Sequence, residues 1–175
     1  MRGEIASDVV WRPAPGAMFT LGSYAEAHPR LCGMMWGCED LAADVGASEN
    51  RAESQQYLPA FELARSLCLF AAAAAGVPAI DTIFTDYKDM AGLQRETSAA
   101  ERVGFTEKAA IHPAQISTIN RTFTPSGAAV DWARKVVAAF AASPEVGVVG
   151  VEGKTLDRPH LRAAQRVLAR TEVSQ

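Results

Sequence analysis

The chain has 175 residues, 49% of them hydrophobic and 21% charged, which is material for one ordinary globular core and too little for two large ones. Its formal net charge of -3 gives no basic field to attract a polyanion, which argues against nucleic acid as a partner. No run approaches the ~20 apolar residues of a membrane-spanning helix, the start MRGEIASDVVWRPAPG has no apolar signal core, and Cys32, Cys38 and Cys68 form no C-x-x-C pair and leave an odd thiol in any disulfide scheme; the expectation is a soluble, cytoplasmic protein without a membrane partner or a structural zinc.

LCGMMWG (31–37) is a short apolar run closed by glycine. Its periodicity fits a buried strand or a buried helix, and the neighbouring segments decide for a parallel strand. Glu39 and Asp40 follow directly. YLPAFELARSLCLFAAAAAG (57–76) predicts a helix with Pro59 in its first turn, Leu63, Leu67, Phe70, Ala71 and Ala74 on one face, and Gly76 as its stop. VPAIDTIF (77–84) predicts a second strand, DMAGLQRETSAAERVG (89–104) a helix stopped by Gly104, and KAAIHP (108–113) a third strand broken by Pro113. Strand and helix alternating at these spacings signal βα units with a parallel sheet. After His112 the pattern changes. PAQISTINRTF reads as a short helix, GAAVDWARKVVAAFAAS (127–143) as a longer one capped by Ser126, PEVGVVGVEG as a small β excursion, and LDRPHLRAAQRVLAR (156–170) as a terminal helix with Asp157 as N-cap.

The segments GCEDLAADVGA, AIDTIFTDYKDMAGL, GFTEKAAIHPAQISTIN with FTPS, and VEGKTLDRPHLRAAQRVLAR, in this order, resemble the second half of the HpcH/HpaI aldolase/citrate lyase family, in its citrate lyase β-subunit-like CoA-ester lyase branch. The resemblance implies an α/β fold, a (β/α)8 barrel of which about the last three βα units are present, with Mg2+ at the C-terminal ends of the strands. It also implies aldol cleavage of a 3-hydroxyacyl-CoA such as malyl-CoA or citramalyl-CoA, and a C-terminal helical lid that reaches a neighbouring subunit. Residues 1–13 match nothing in the family, 14–124 correspond to the partial barrel and 125–175 to the lid.

The chain departs from the family pattern as well. A whole barrel takes about 250 residues. The family's Ile-Glu-Thr motif, whose Glu is one of two protein carboxylates on Mg2+, has Pro13 and Ala14 in the places of Glu and Thr, and the first-half Arg that binds the substrate carboxylate has no counterpart. Truncated gene, shifted reading frame and degenerate paralogue all fit this departure. The expected homo-oligomer, or a missing N-terminal half, would complete the site.

Asp40 matches the family's second Mg2+ ligand; read without the family it is an acid at a helix start, where main-chain N–H groups favour anions. Glu39 reads as support for that site. Asp157 matches the lid aspartate that moves a proton or activates water in trans, and the helix-capping role is compatible with it. His112 reads as a strand-end residue shaping the CoA-side rim, Asp81, Asp86 and Asp89 as loop acids that line a pocket or cap, Trp36 as packing, and His28 and His160 as surface residues at helix ends. Two functions follow: a CoA-ester lyase acting on a CoA thioester or a 2-oxo or hydroxy acid and inactive as this chain alone, or a non-catalytic oligomerisation module derived from that family.

Overall fold

Four short strands, β1 (Val9–Trp11), β2 (Leu31–Met35), β3 (Ala79–Asp81) and β4 (Glu107–Lys108), pair in the order β1-β2-β3-β4, and every pairing is parallel. The computed structural model describes residues 9–11, 14–25 and 30–173; Pro13 and His28 lie outside them. A parallel order needs a crossover between each pair, supplied here by two short 3-10 turns (Pro15–Phe19, Leu21–Ala25), by α1 (Cys38–Val45) with α2 (Pro59–Ala75), and by α3 (Met90–Val103). α4 (Pro113–Phe123) follows β4.

Three strands are expected from apolar runs, and the structure adds a fourth, β1. The expected strands are also shorter. Backbone pairing takes only 79–81 of the run 77–84, and the third strand ends at Lys108.

Local sequence accounts for most helix ends. Pro59 occupies the first turn of α2, and Gly76 ends it with φ 70, a left-handed conformation that costs a residue with Cβ. Asp89 caps α3 by accepting the Gly92 N–H, and Ser126 caps α5 (Gly127–Ala142) by accepting that of Ala129.

The buried face of α2 differs from the expected one. Phe61, Ala64, Arg65, Cys68, Ala71 and Ala72 face inward, whereas Leu63 and Phe70 are 60% and 66% exposed. Phe61, Ala64, Cys68, Ala71 and Ala72 pack with Met34, Trp36, Ala79, Leu41, Leu93, Ala100, Ile119 and Phe123 into one core between the helices and one face of the sheet. On the alternate strand positions Met35 and Ile80 are half-buried and Glu107 is exposed.

The chain divides into two compact units after Phe123. The second holds α5, an antiparallel hairpin of β5 (Val148–Val151) and β6 (Lys154–Asp157), and α6 (Arg158–Val173). Its core is Ala133, Val136, Phe140, Val151, Leu156 and Ala164. Glu152 and Gly153, both at positive φ, close the hairpin as a two-residue turn whose twist suits antiparallel strands. Among the described residues no helix is long and apolar enough to cross a membrane.

Candidate functional site

Because the four strands are parallel, their C-terminal ends share one edge of the sheet, and the loops leaving that edge carry the candidate residues. Trp36 and Gly37 lead from β2 into α1. Asp40 stands in the first turn of α1, exposed, where the helix dipole favours a negative charge. A Cβ on Gly37 would lie 2.9 Å from Asp40 Oδ2, so the missing side chain leaves room for the carboxylate to fold back toward the strand end. Glu39 instead accepts a hydrogen bond from Asn50 Nδ2 at 3.0 Å.

Behind this edge lies a buried ionic network. Asp81, the last residue of β3, has no exposed surface. Its Oδ1 accepts from Trp36 Nε1 (2.7 Å) and Arg65 Nε (3.2 Å), and its Oδ2 from Lys108 Nζ (2.9 Å). Lys108, its register partner on β4, also donates to Glu96 Oε1 at 2.8 Å. Glu96 pairs in turn with Arg51 at 2.7 Å and accepts from Tyr57 Oη, and Arg51 lies over the Tyr57 ring. Burial alone would push the Asp81 carboxyl up, but the cations of Lys108 and Arg65 outweigh it and hold the group below the ordinary carboxylate range. Burial raises the Tyr57 hydroxyl above the ordinary range and pushes the Cys38 and Cys68 thiols up to about 12. The network joins β3 and β4 to α2 and α3, with Asp81 and Lys108 at its buried centre and Arg51 partly exposed at its rim.

The loops after β3 and β4 are fixed by short-range bonds. Asp86 accepts from the Lys88 and Asp89 N–H groups, and Asp89 caps α3, so both acids serve the backbone. Gln115, fully buried, accepts from the Ile111 and His112 N–H groups and donates to Phe84 O at 2.8 Å. His112 follows the last residue of β4 by four positions, stacks on Tyr87 with ring centroids 4.7 Å apart, and accepts the Ala114 N–H at Nδ1. In the second unit Asp157 ends β6 immediately before α6. The His160 imidazole, 2.5 Å from Asp157 Oδ1, and the main-chain N–H of that residue hold the Asp157 carboxyl below the ordinary range. The Asp157 N–H lies 3.2 Å from the same His160 Nδ1, which donates to the carboxylate when it carries the proton and accepts the main-chain N–H when it does not.

Sequence reading singles out Asp40 and Asp157. The structure leaves both exposed, one in each unit, and buries Asp81, which sequence reading treats as a loop or pocket acid. The network's other members, Arg51, Tyr57, Arg65, Glu96 and Lys108, are absent from the sequence reading. One signal existed: Asp81 interrupts one apolar run and Lys108 opens another, where a charge must find a partner or stay in water.

Mg2+ takes hard oxygens, often from one or two carboxylates with water and substrate completing six positions. Asp40 offers one such oxygen donor. Among the described residues no group of three or more His, Cys, Asp or Glu could hold a metal ion, so the fit to Mg2+ is that of a single ligand.

A parallel sheet with helices packed on one face defines the class, an α/β protein, and the exposed Asp40 stands at the C-terminal edge of that sheet. The model of the HpcH/HpaI aldolase/citrate lyase family matches residues 21–113, and the chain belongs to that family. It is 40% identical over 146 residues to a citrate lyase subunit beta-like protein of Mycobacterium tuberculosis, covering 83% of this chain and 52% of that one. It is 36% identical over 151 residues to a (3S)-malyl-CoA thioesterase of Cereibacter sphaeroides, covering 83% and 50%. Among solved structures, the protein CitE from Mycobacterium tuberculosis in complex with magnesium, acetoacetate and coenzyme A superposes with a TM-score of 0.74 at 35% identity, over 94% of this chain and 60% of that one. The chain thus spans about half the length of the curated relatives it matches.

Proposed function

We propose that this chain contributes the late βα units and the lid of a Mg2+-dependent CoA-ester lyase or thioesterase acting on a 3-hydroxyacyl-CoA such as malyl-CoA or citramalyl-CoA. The observation that carries the reading is Asp40, an exposed aspartate at the C-terminal end of a parallel strand and inside the segment that matches the family. In (β/α)8 barrels that end of the strands is where chemistry is done. The sequential order of the strands supports a barrel segment over a doubly wound sheet: right-handed crossovers taken in order put every helix on the same face. The half-buried Met35 and Ile80 on the other face are then positions on a barrel interior. Residues 14–124 would form the barrel portion and 125–175 the lid.

Asp40 would hold the cation, with water and substrate oxygens as its remaining ligands. Bound there, Mg2+ supplies positive charge against a carbonyl oxygen on which negative charge develops. Asp157 is ionised at neutral pH, which suits it to accept a proton or to orient water, and His160 fixes its direction. That aspartate would act on a neighbouring subunit. Among the described residues Asp40 is a single carboxylate, which retains a cation weakly, so a further copy or another chain would complete the site and this chain alone would turn over little substrate.

Assays of malyl-CoA and citramalyl-CoA cleavage and hydrolysis with Mg2+ test the reading. Negligible turnover is expected from the chain alone. Turnover abolished by Asp40→Ala would show that it is an enzyme as it stands, and activity regained with an added first-half segment, dependent on Asp40, would support the composite site. A second reading, a non-catalytic oligomerisation module, is favoured by the absence of a multi-ligand metal cluster among the described residues and by the exposed Leu63 and Phe70 on α2. Failure of every added segment to restore Asp40-dependent turnover would favour it.

A further inference from the structure

Of the chain's 17 Lys and Arg and 20 Asp and Glu, 7 and 5 follow Phe123, so the second unit is net basic and the residues before it carry the whole acidic excess. The basic residues are not scattered. Arg158, Arg162, Arg166 and Arg170 recur at every fourth position of α6, and the helix has no acid before Glu172. Leu161, Ala164, Val167 and Leu168 turn one side of α6 into the core of the unit, which leaves Arg158, Arg162 and Arg166 exposed on the other. Arg158 donates to the Pro144 and Val146 carbonyls. Three acids of this unit are engaged elsewhere: Asp131 with Arg134, Glu152 with Lys135, and Asp157 with His160. Among the described residues Arg162 and Arg166 have no hydrogen-bond or ion-pair partner. Like charges four residues apart repel and weaken a helix, so this arrangement works against the element that carries it.

The first unit has the complementary surface. Between residues 39 and 53 stand Glu39, Asp40, Asp44, Glu49 and Glu53, all exposed, and one base, Arg51, which is paired with Glu96 at 2.7 Å. Asp44 and Glu49 have no partner among the described residues. An open depression of about 480 Å3 lies there, lined by Ala42, Ala43 and Ala47 together with Glu39 and Glu49. A guanidinium can lie flat over such small side chains while its N–H fork meets the carboxylates. Ala163 and Ala169, exposed beside the arginines of α6, let that face approach closely. We infer that α6 of one copy docks through Arg162 and Arg166 on the acidic face of residues 39–53 of a second copy. Each copy carries both surfaces, so the contact is head-to-tail and builds a ring or an open string of copies. The inference draws on no metal and no substrate, and stands apart from the reading of Asp40 as a cation ligand.

The test is sedimentation velocity on the whole chain over a concentration series, with folding checked by circular dichroism. Raising NaCl from about 10 mM to about 1 M shortens the reach of exposed charges from roughly 30 to 3 Å and should weaken self-association about tenfold; a contact made by the apolar Leu63 and Phe70 would not weaken. At low salt, Arg162→Gln with Arg166→Gln, and separately Asp44→Asn with Glu49→Gln, should each weaken association about tenfold. Arg95→Gln with Arg102→Gln on α3, which removes the same charge from another exposed face, should stay within twofold. Mixing the two weakened variants should restore a 1:1 contact and nothing larger, because each supplies the face that the other lacks while both remain net negative. At the lowest concentration the α6 variant should melt no lower than the unsubstituted chain, since its substitutions relieve like-charge repulsion. Association indifferent to salt, an α3 control that loses as much, or a mixture that stays apart each overturns the inference. An α6 variant that melts lower overturns it too, by making the arginines a support of their own fold. So does a chain that stays monomeric at every salt, and retention of inorganic polyphosphate by that monomer through Arg162 and Arg166 would assign the face to an anionic ligand instead.

Discussion

Replacing Lys108 by methionine removes the ammonium that lies 2.9 Å from Asp81 Oδ2 and 2.8 Å from Glu96 Oε1. Methionine fills much of the same space, so the loss is of charge and hydrogen bonds rather than volume. Asp81 keeps Arg65 and Trp36, and Glu96 keeps Arg51, but one Asp81 oxygen faces a dry interior without its cation. Breaking one partner of a buried pair costs about 3–5 kcal/mol. For a chain of this length that is a fall in Tm of roughly 10 °C. Arg134, paired with Asp131 at 3.4 Å with both side chains 69% exposed, is the control, and Arg134→Ala should cost under about 1 kcal/mol. Melting curves at matched protein concentration and pH 7 measure both. The reasoning is refuted if Lys108→Met falls no further than Arg134→Ala. The pH dependence is a second check. A carboxyl whose folded value lies below its unfolded one contributes stability above the unfolded value and loses it as pH falls through the folded value. The cost of Lys108→Met should accordingly be greatest at neutral pH and shrink below about pH 4, as Asp81 takes up a proton more easily in the variant. The double variant Asp81→Asn with Lys108→Met should be more stable than Lys108→Met alone.

Cys32 is exposed while Cys38 and Cys68 are buried with thiols pushed up to about 12, so Ellman's reagent at pH 8 should titrate one thiol in the folded chain and three after denaturation; three fast thiols would contradict the packing around α1 and α2. Gly76→Ala should destabilise by about 1–2 kcal/mol because the site is left-handed at φ 70, whereas Gly127→Ala, in the first turn of α5 with open space around it, should be neutral or stabilising by up to about 1 kcal/mol; denaturant titration of both separates backbone strain from simple bulk. The half-covered sheet face and the exposed Leu63 and Phe70 should drive self-association, and sedimentation velocity showing a monodisperse monomer across the micromolar range would refute that expectation.

Much of the architecture was legible in residue order, and the physical reason is that the deciding interactions are local. A proline at one end and a glycine at the other bound α2, Ser126 and Asp89 bond to main-chain N–H groups three residues on, and the alternation of short apolar runs with helical periods announces a parallel sheet. Four ordered motifs also pointed to the family. Sequence assigned the wrong inward face to α2, because that helix is apolar nearly all round and the choice of Phe61 and Cys68 over Leu63 and Phe70 depends on what the sheet presents. β1 escaped notice for a similar reason: three residues make a strand only when a neighbouring strand offers its unpaired backbone groups. For Asp81 the sequence offered only a charge within an apolar run, and nothing in it named the partners. Its partners Arg65, Lys108 and Trp36 lie 16, 27 and 45 residues away in the chain. A carboxylate at a strand end has the same sequence appearance in water as in a core, and only the folded chain, by bringing two cations and an indole N–H to one point, makes its burial energetically tolerable.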